Sequence, residues 1–243
     1  MPSVADVREW AMASSADAPR DKRPRQQCAD AVLMVRPKAF AYNPETALTN
    51  TFQSPPQPGS GDACTAARQE FGRLDGALIS VGGPPGGPAM AMSDDAWRAA
   101  FESVFLGAVR LSRMLGAELS EGGALAFVLS SSVRVPIPAL ALSNGLRPGL
   151  AGWAKTLAYE LGPSGIRVVG LLPGKMATGR VRELDARHGD PDEVRAAAAQ
   201  DIPLRRYGEP AEFGKVAAFV LSPAASYVTG VMIPVDGGAI SAL

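Results

Sequence analysis

From Asp62 onward the chain alternates two kinds of apolar pattern. Short continuous blocks, GALISV (76–81), ALAFVLS (124–130), IRVVGLL (166–172) and MIPV (232–235), have the length of buried strands and stop at Gly, Ser or Pro. Between them run longer stretches with apolar residues at helical spacing. CTAARQEFGRL (64–74) reads as a helix leading into the first block, and 94–119 as a second, opened by Ser93 and two acids and striped by Trp97, Phe101, Val104, Phe105 and Leu111. GLAGWAKTLAYELG (149–162) places Leu150, Trp153, Leu157 and Leu161 on one stripe and stops at Gly162. Four buried strands separated by helices predict an α/β fold, a doubly wound parallel sheet whose working edge lies at the strand carboxyl ends.

The first 58 residues break this rhythm. They hold none of the chain's 26 glycines, and the run APRDKRPRQQ (18–27) has no period that would bury a face. Their one strand-like run is AVLMV (31–35), ending before Pro37, and PPQPGSG (55–61) reads as a linker. The expected organisation is an atypical leader or fused segment over 1–58, partly disordered and structurally separate, followed by an α/β domain over 62–243.

Composition narrows the chemistry. The 243 residues, 47% of them hydrophobic, suffice for a sizeable core, and 24 basic residues balance 24 acidic ones, so no net field draws nucleic acid or an acidic membrane surface. Cys28 and Cys64 lack the spacing of a zinc site or a disulfide framework, and the lone histidine, His188, falls in a polar loop, so neither a metal site nor a histidine triad is expected. No apolar run reaches the length of a membrane span, and the amino terminus has no signal-peptide pattern, which predicts a soluble, cytoplasmic protein.

Candidate chemistry gathers after the second and third strands. ALAFVLS leads into the triple Ser130, Ser131, Ser132, and LSNGLRPGLAG (142–152) sets Ser143 four residues ahead of Arg147. As plain structure, Ser143 caps the helix and Arg147 is solvated or ion-paired. Pro148 then bears on the start: beyond the first turn it removes an amide donor and threatens the i, i+4 geometry, within the first turn it is harmless.

Residues 62–243 resemble the short-chain dehydrogenase/reductase family, in particular bacterial 3-oxoacyl-carrier-protein reductases. The resemblance rests on FGRLDGALISVGG (71–83), IRVVGLLPGKMAT (166–178) and IPLRRYGEPAEFGKVAAFVLSPAASYVTGVMIPVDGG (202–238), in family order. It implies a Rossmann-like fold, NAD or NADP as cofactor, and interconversion of a carbonyl and an alcohol. It further implies that one serine of the triple, Ser132 or else Ser131 or Ser130, polarises substrate oxygen, that Arg147 holds the cofactor ribose, that Gly82 and Gly83 bind the cofactor, and that Pro173, Gly174 and Thr178 line the nicotinamide side. A homodimer or homotetramer through the helix bearing Ala151, Ala154 and Ala158 is also implied, with a buried intramolecular face as the alternative. The segment 178–201 aligns with the family's mobile lid.

Several family positions differ here. The proton-donating tyrosine falls on Ser143 and the lysine on Arg147; a serine hydroxyl is a far weaker acid than a phenol (about 10), and an arginine stays protonated. The Asn-Asn-Ala-Gly segment reads Ile79-Ser80-Val81-Gly82, and the asparagine of the proton-relay water aligns with Val104 or Phe105. The glycine-rich turn that wraps a pyrophosphate in the first βαβ unit has no counterpart in the glycine-free leader, and GGPPGGP (82–88), with its prolines, reads as a mobile loop instead. Within the leader, residues 31–53 faintly resemble the first strand and loop of amidinotransferase and dimethylarginine-hydrolase enzymes, without their Cys and His machinery. Two functions follow as expectations: an oxidoreductase acting on a small carbonyl or alcohol with impaired cofactor binding and turnover, or an inert oligomerising scaffold on the same fold.

Overall fold

The computed structural model describes residues 73–242 together with the strand Val32–Val35. Five parallel strands lie side by side in chain order: β1 (Val32–Val35), β2 (Gly76–Ser80), β3 (Ala124–Val128), β4 (Arg167–Pro173) and β5 (Val231–Val235). The strand-like run of the leader therefore enters the main sheet, with Val32 opposite Gly76 and Val35 opposite Ile79. The residues that follow it, most of the helix expected over 64–74 and both cysteines lie outside the described residues.

Strand alternation decides which face each helix covers. Ala77, Ile79, Leu125, Phe127 and Val168 point to one face and bury against α1 (Asp94–Ala100), α2 (Gly107–Glu118) and α3 (Ala141–Leu161). Leu78, Ala124, Ala126, Val169 and Leu171 point to the other and bury against Ala217, Val220 and Leu221 of α6 (Pro210–Leu221). The period of two in a sheet covered on both sides is why these strands read as unbroken apolar runs. Because α2 and α3 cross on one face and α6 on the other while the strands step in one direction, the β4–β5 connection has the opposite hand from the two before it. That departs from the near-universal single handedness of such crossovers. Among the described residues β5 is an edge strand and only partly buried, unlike the buried strand its sequence predicts, because β4 is its one neighbour there.

Helix ends follow the local chemistry. Ser93 accepts a hydrogen bond from the Ala96 amide at the start of α1, and Gly162 ends α3. Between α1 and α2 the backbone widens into a π-helical turn, Phe101–Leu106, that carries Val104 into the core. Arg167, buried at the start of β4, donates to the carbonyls of Val220 and Ser222 at the end of α6, where a cation also meets the negative end of the helix dipole. No described helix is long and apolar enough to cross a membrane.

The small residues of α3 face inward. Ala151, Ala154 and Ala158 are buried in the chain's own core against the sheet, so they form the intramolecular face and not a surface for a second subunit. On the flank of the same helix, Gly145 and Gly149 let it lie against aromatic rings: a β-carbon added at Gly145 would stand 2.6 Å from Trp97, and one at Gly149 would stand 2.8 Å from Phe105.

Candidate active site at the strand tips

The carboxyl ends of β2 and β3 and the first turns of α3 meet at one place. β3 runs directly into a short 3₁₀ turn, Ser131–Val133, capped by Ser130, whose Oγ accepts the Ser132 amide at 3.1 Å. This separates the three serines by role: Ser130 shapes the turn, Ser131 is half-buried, and Ser132 is turned inward with 3% of its surface exposed. Its Oγ lies 3.2 Å from Ser143 Oγ, and the bond between them is buried.

Ser143 does not cap its helix. α3 begins at Ala141 with Leu140 as its flanking residue, so Ser143 and Arg147 lie one turn apart on the same helix and both face inward. Pro148 falls within α3 on an exposed face; its ring takes the place of an amide that would have bonded the Asn144 carbonyl. The Asn144 side chain works in the other direction, accepting from the Ile137 amide at 3.0 Å and donating to the Ile137 carbonyl at 2.8 Å. This double bond of side chain to backbone fastens loop 134–140 onto the helix that carries Ser143. The glycine-proline loop is fastened as well: Gly87 donates to the Ala139 carbonyl at 2.6 Å and its own carbonyl accepts from Ala141, so it is bridged to the loop ahead of α3 instead of lying loose over the sheet.

Arg147 is neither solvated nor ion-paired. Its guanidinium reaches under the strand tips, donating from Nη1 to Val128 O at 2.9 Å and from Nη2 to Gly82 O at 3.1 Å and Val81 O at 3.3 Å. Nε is buried without an acceptor. The side chain therefore ties the end of β2 to the end of β3, and its partners are carbonyl oxygens, not a carboxylate. Burial lowers its pKa to about 10, so it remains a cation at neutral pH.

The other sequence-derived positions are distributed around this centre. Gly82 and Gly83 are exposed at the tip of β2, and an added β-carbon at either would meet nothing within 4 Å. Pro173 ends β4, and Gly174 is pressed so closely on Asp236 that a β-carbon would come within 2.6 Å of it. Thr178 caps α4 (Gly179–Ala186) through the Val181 amide and lines a cleft of about 210 Å³ shared with α5 (Pro191–Ala199) and Tyr207. Val104, one position aligned with the family's water-binding asparagine, is an apolar core residue with 2% exposure. His188 sits exposed in the turn between α4 and α5. Sequence reasoning singled out none of Asn144, Lys175, Asp185 and Tyr207, although Asn144 adjoins Ser143 and Lys175 lies just beyond the β4 tip.

Comparison with known proteins agrees with this architecture. Residues 60–239 match the family described as enoyl-(acyl carrier protein) reductase. The short-chain reductase protein NovJ of Streptomyces niveus is 34% identical over 178 residues, covering 72% of this chain and 68% of that protein. The 3-oxoacyl-[acyl-carrier-protein] reductase MabA of Mycobacterium tuberculosis is 29% identical over 178 residues, covering 72% of this chain and 70% of MabA. The chain thus spans about two thirds of the length of the curated relatives it matches. Among solved structures, the NADPH-bound short chain oxidoreductase from Pseudomonas aeruginosa PAO1 containing an atypical catalytic center superimposes with a TM-score of 0.68 at 25% identity, over 74% of this chain and 71% of that one. On its sheet, its strand-tip site and these matches, the chain belongs to the short-chain dehydrogenase/reductase family of oxidoreductases.

Proposed function

We propose that this chain interconverts a small carbonyl compound and its alcohol with a nicotinamide dinucleotide, using the hydroxyls of Ser132 and Ser143 on the substrate oxygen and Arg147 as a fixed positive charge behind them. The observation that carries the reading is the buried hydroxyl pair, 3.2 Å apart, at the carboxyl edge of a parallel sheet. The described residues fit the nicotinamide end of the cofactor: Gly82 and Gly83 leave open space at the tip of β2, and the charge of Arg147 lies directly behind the Gly82 carbonyl. Gly82, Gly83, Pro173, Gly174 and Thr178 would hold that end. When bound, the nicotinamide would supply hydride to the carbonyl carbon.

The chain's own groups then act on the oxygen. The Ser132–Ser143 bond joins two neutral hydroxyls, so redirecting either O–H toward a substrate oxygen exchanges one hydrogen bond for another. Two donors aimed at an oxygen gaining negative charge lower the barrier electrostatically. Neither serine is acid enough to act as a phenol would, so the proton comes from Ser143 with water behind it, and turnover falls short of a tyrosine-based site by ~10²–10⁴. The P. aeruginosa relative, an NADPH-bound short chain oxidoreductase containing an atypical catalytic center, supports the view that a family member with an atypical center can take the cofactor.

A second reading, an inert scaffold, is favoured by one observation: Nη1 and Nη2 of Arg147 are committed to backbone carbonyls. Titrating the purified chain with NADH and NADPH by nicotinamide fluorescence, followed by turnover of a panel of small ketones, separates the two. The expected result is binding weaker than micromolar, with slow turnover that drops ~10²-fold in Ser132→Ala. Absence of both binding and turnover would leave the scaffold, and micromolar or tighter binding would overturn the expectation of weakened affinity.

A further inference from the structure

We infer that Lys175, Tyr207 and Asp185 form a polar latch that positions α4, and with it the Thr178 corner of the site, on the tip of β4. The inference rests on the reading above only for the use of that corner; the latch itself stands on packing. α4 is unusual in what it buries. Of its residues whose side chains are described, the one that is buried is a carboxylate, Asp185, with 6% exposure, while Val181 and Leu184 are only half-covered. α5, which packs on α4, buries only Ala199. A helix pair with so little apolar anchorage is not held by the hydrophobic contacts that seat α2, α3 and α6.

What seats it is a hydrogen-bonded cluster. The Tyr207 hydroxyl donates to Asp185 Oδ2 at 3.1 Å and accepts from Lys175 Nζ at 3.1 Å, and Lys175 Nζ stands 3.8 Å from Asp185 Oδ1. The three come from three places: Lys175 two residues beyond β4, Asp185 in the last turn of α4, and Tyr207 in the loop before α6. Tyr207 has 1% exposure, and burial raises its pKa, which keeps the phenol protonated as the donor the carboxylate requires. Arg195 of α5 lies 5.2 Å from the centre of the Tyr207 ring, so the second helix of the pair joins the same anchor. Thr178, the cap of α4, stands between Lys175 and this helix in the chain, and Thr178, Asp185, Arg195 and Tyr207 share the walls of the cleft.

The latch makes a prediction that a common core contact does not. In ligand-free full-length protein, Tyr207→Phe removes one oxygen and keeps the ring, and amide hydrogen exchange over 176–199 is expected to accelerate about 5-fold or more while β3, β4 and α3 stay unchanged. Lys175→Met, at a side chain nearly half exposed, gives a smaller acceleration in the same segment, and Lys175→Arg, which keeps the cation, restores the parent rates. Unchanged exchange over 176–199 in Tyr207→Phe would overturn the proposal, as would an even acceleration over the whole chain or a Lys175→Arg protein no better than Lys175→Met. Because no cofactor or substrate is present, the result does not depend on whether the chain turns over.

Discussion

Two helical regions border the site, and they are held by opposite means. α3 carries Ser143 and Arg147 and is seated by Leu142, Leu146, Leu150, Ala154 and Leu157, all buried. The α4–α5 pair carries Thr178 at its corner and is seated by a carboxylate, a phenol and an ammonium. Apolar burial is strong and undirected, so α3 is a fixed platform for the hydroxyl pair. Hydrogen bonds that replace bonds to water contribute little net stability but demand a particular geometry, so α4–α5 is placed accurately and released cheaply.

The contrast is broken most directly at Leu150. Leu150→Ala, at a position with no exposure, is expected to lower unfolding free energy by about 3 kcal/mol in urea, whereas Val181→Ala in α4 is expected to cost under about 1 kcal/mol. Equal losses would erase the distinction. Arg147→Met comes next. Three carbonyls lose their donors while a costly buried charge disappears, and the balance is a loss of about 2 kcal/mol by the same measurement. A stabilised Arg147→Met protein would show that the guanidinium is kept for a ligand and not for the sheet. Asn144→Ala should cost about 1 kcal/mol and speed exchange in 134–140, because it frees both Ile137 groups.

The smallest effect sharpens the polar side of the comparison. Arg206 pairs with both carboxylate oxygens of Glu212, each at 2.7 Å, and this bond, with the Glu209 amide, holds the Glu212 carboxyl down at about 2. A depressed carboxyl pKa stabilises the folded state above the unfolded value, and the contribution is lost as pH falls from the ordinary glutamate range through about 2. Urea midpoints measured across that acid window should therefore fall less steeply in Glu212→Gln than in the parent chain. Both side chains are exposed, so the difference is expected to be slight.

Much of the fold was legible because its strands are short apolar blocks and its helices carry caps and stripes, as at Ser93, Leu150 and Gly162. The site was legible only in outline. Ser132 and Ser143 were both named, but their contact closes a gap of 11 residues through a turn whose shape depends on Ser130. Sequence alone makes Arg147 a solvated, ion-paired or ribose-holding group, since nothing in its neighbours in sequence shows that the carbonyls of Val81, Gly82 and Val128 lie beneath it. Asp185 and Tyr207 fall inside segments that the resemblance covers, but nothing in those polar stretches marks the two as partners.

By itself the amino-acid sequence determined the α/β class, the parallel order of apolar strands and the placing of a hydroxyl four residues ahead of a guanidinium at 143 and 147, because periodicity and residue chemistry are local properties. Tertiary structure alone decided where the guanidinium spends its hydrogen bonds, which serine meets Ser143, and what fastens α4 to the sheet. Each of those depends on unpaired backbone and side-chain groups that come together only when distant segments are packed and water is removed from between them.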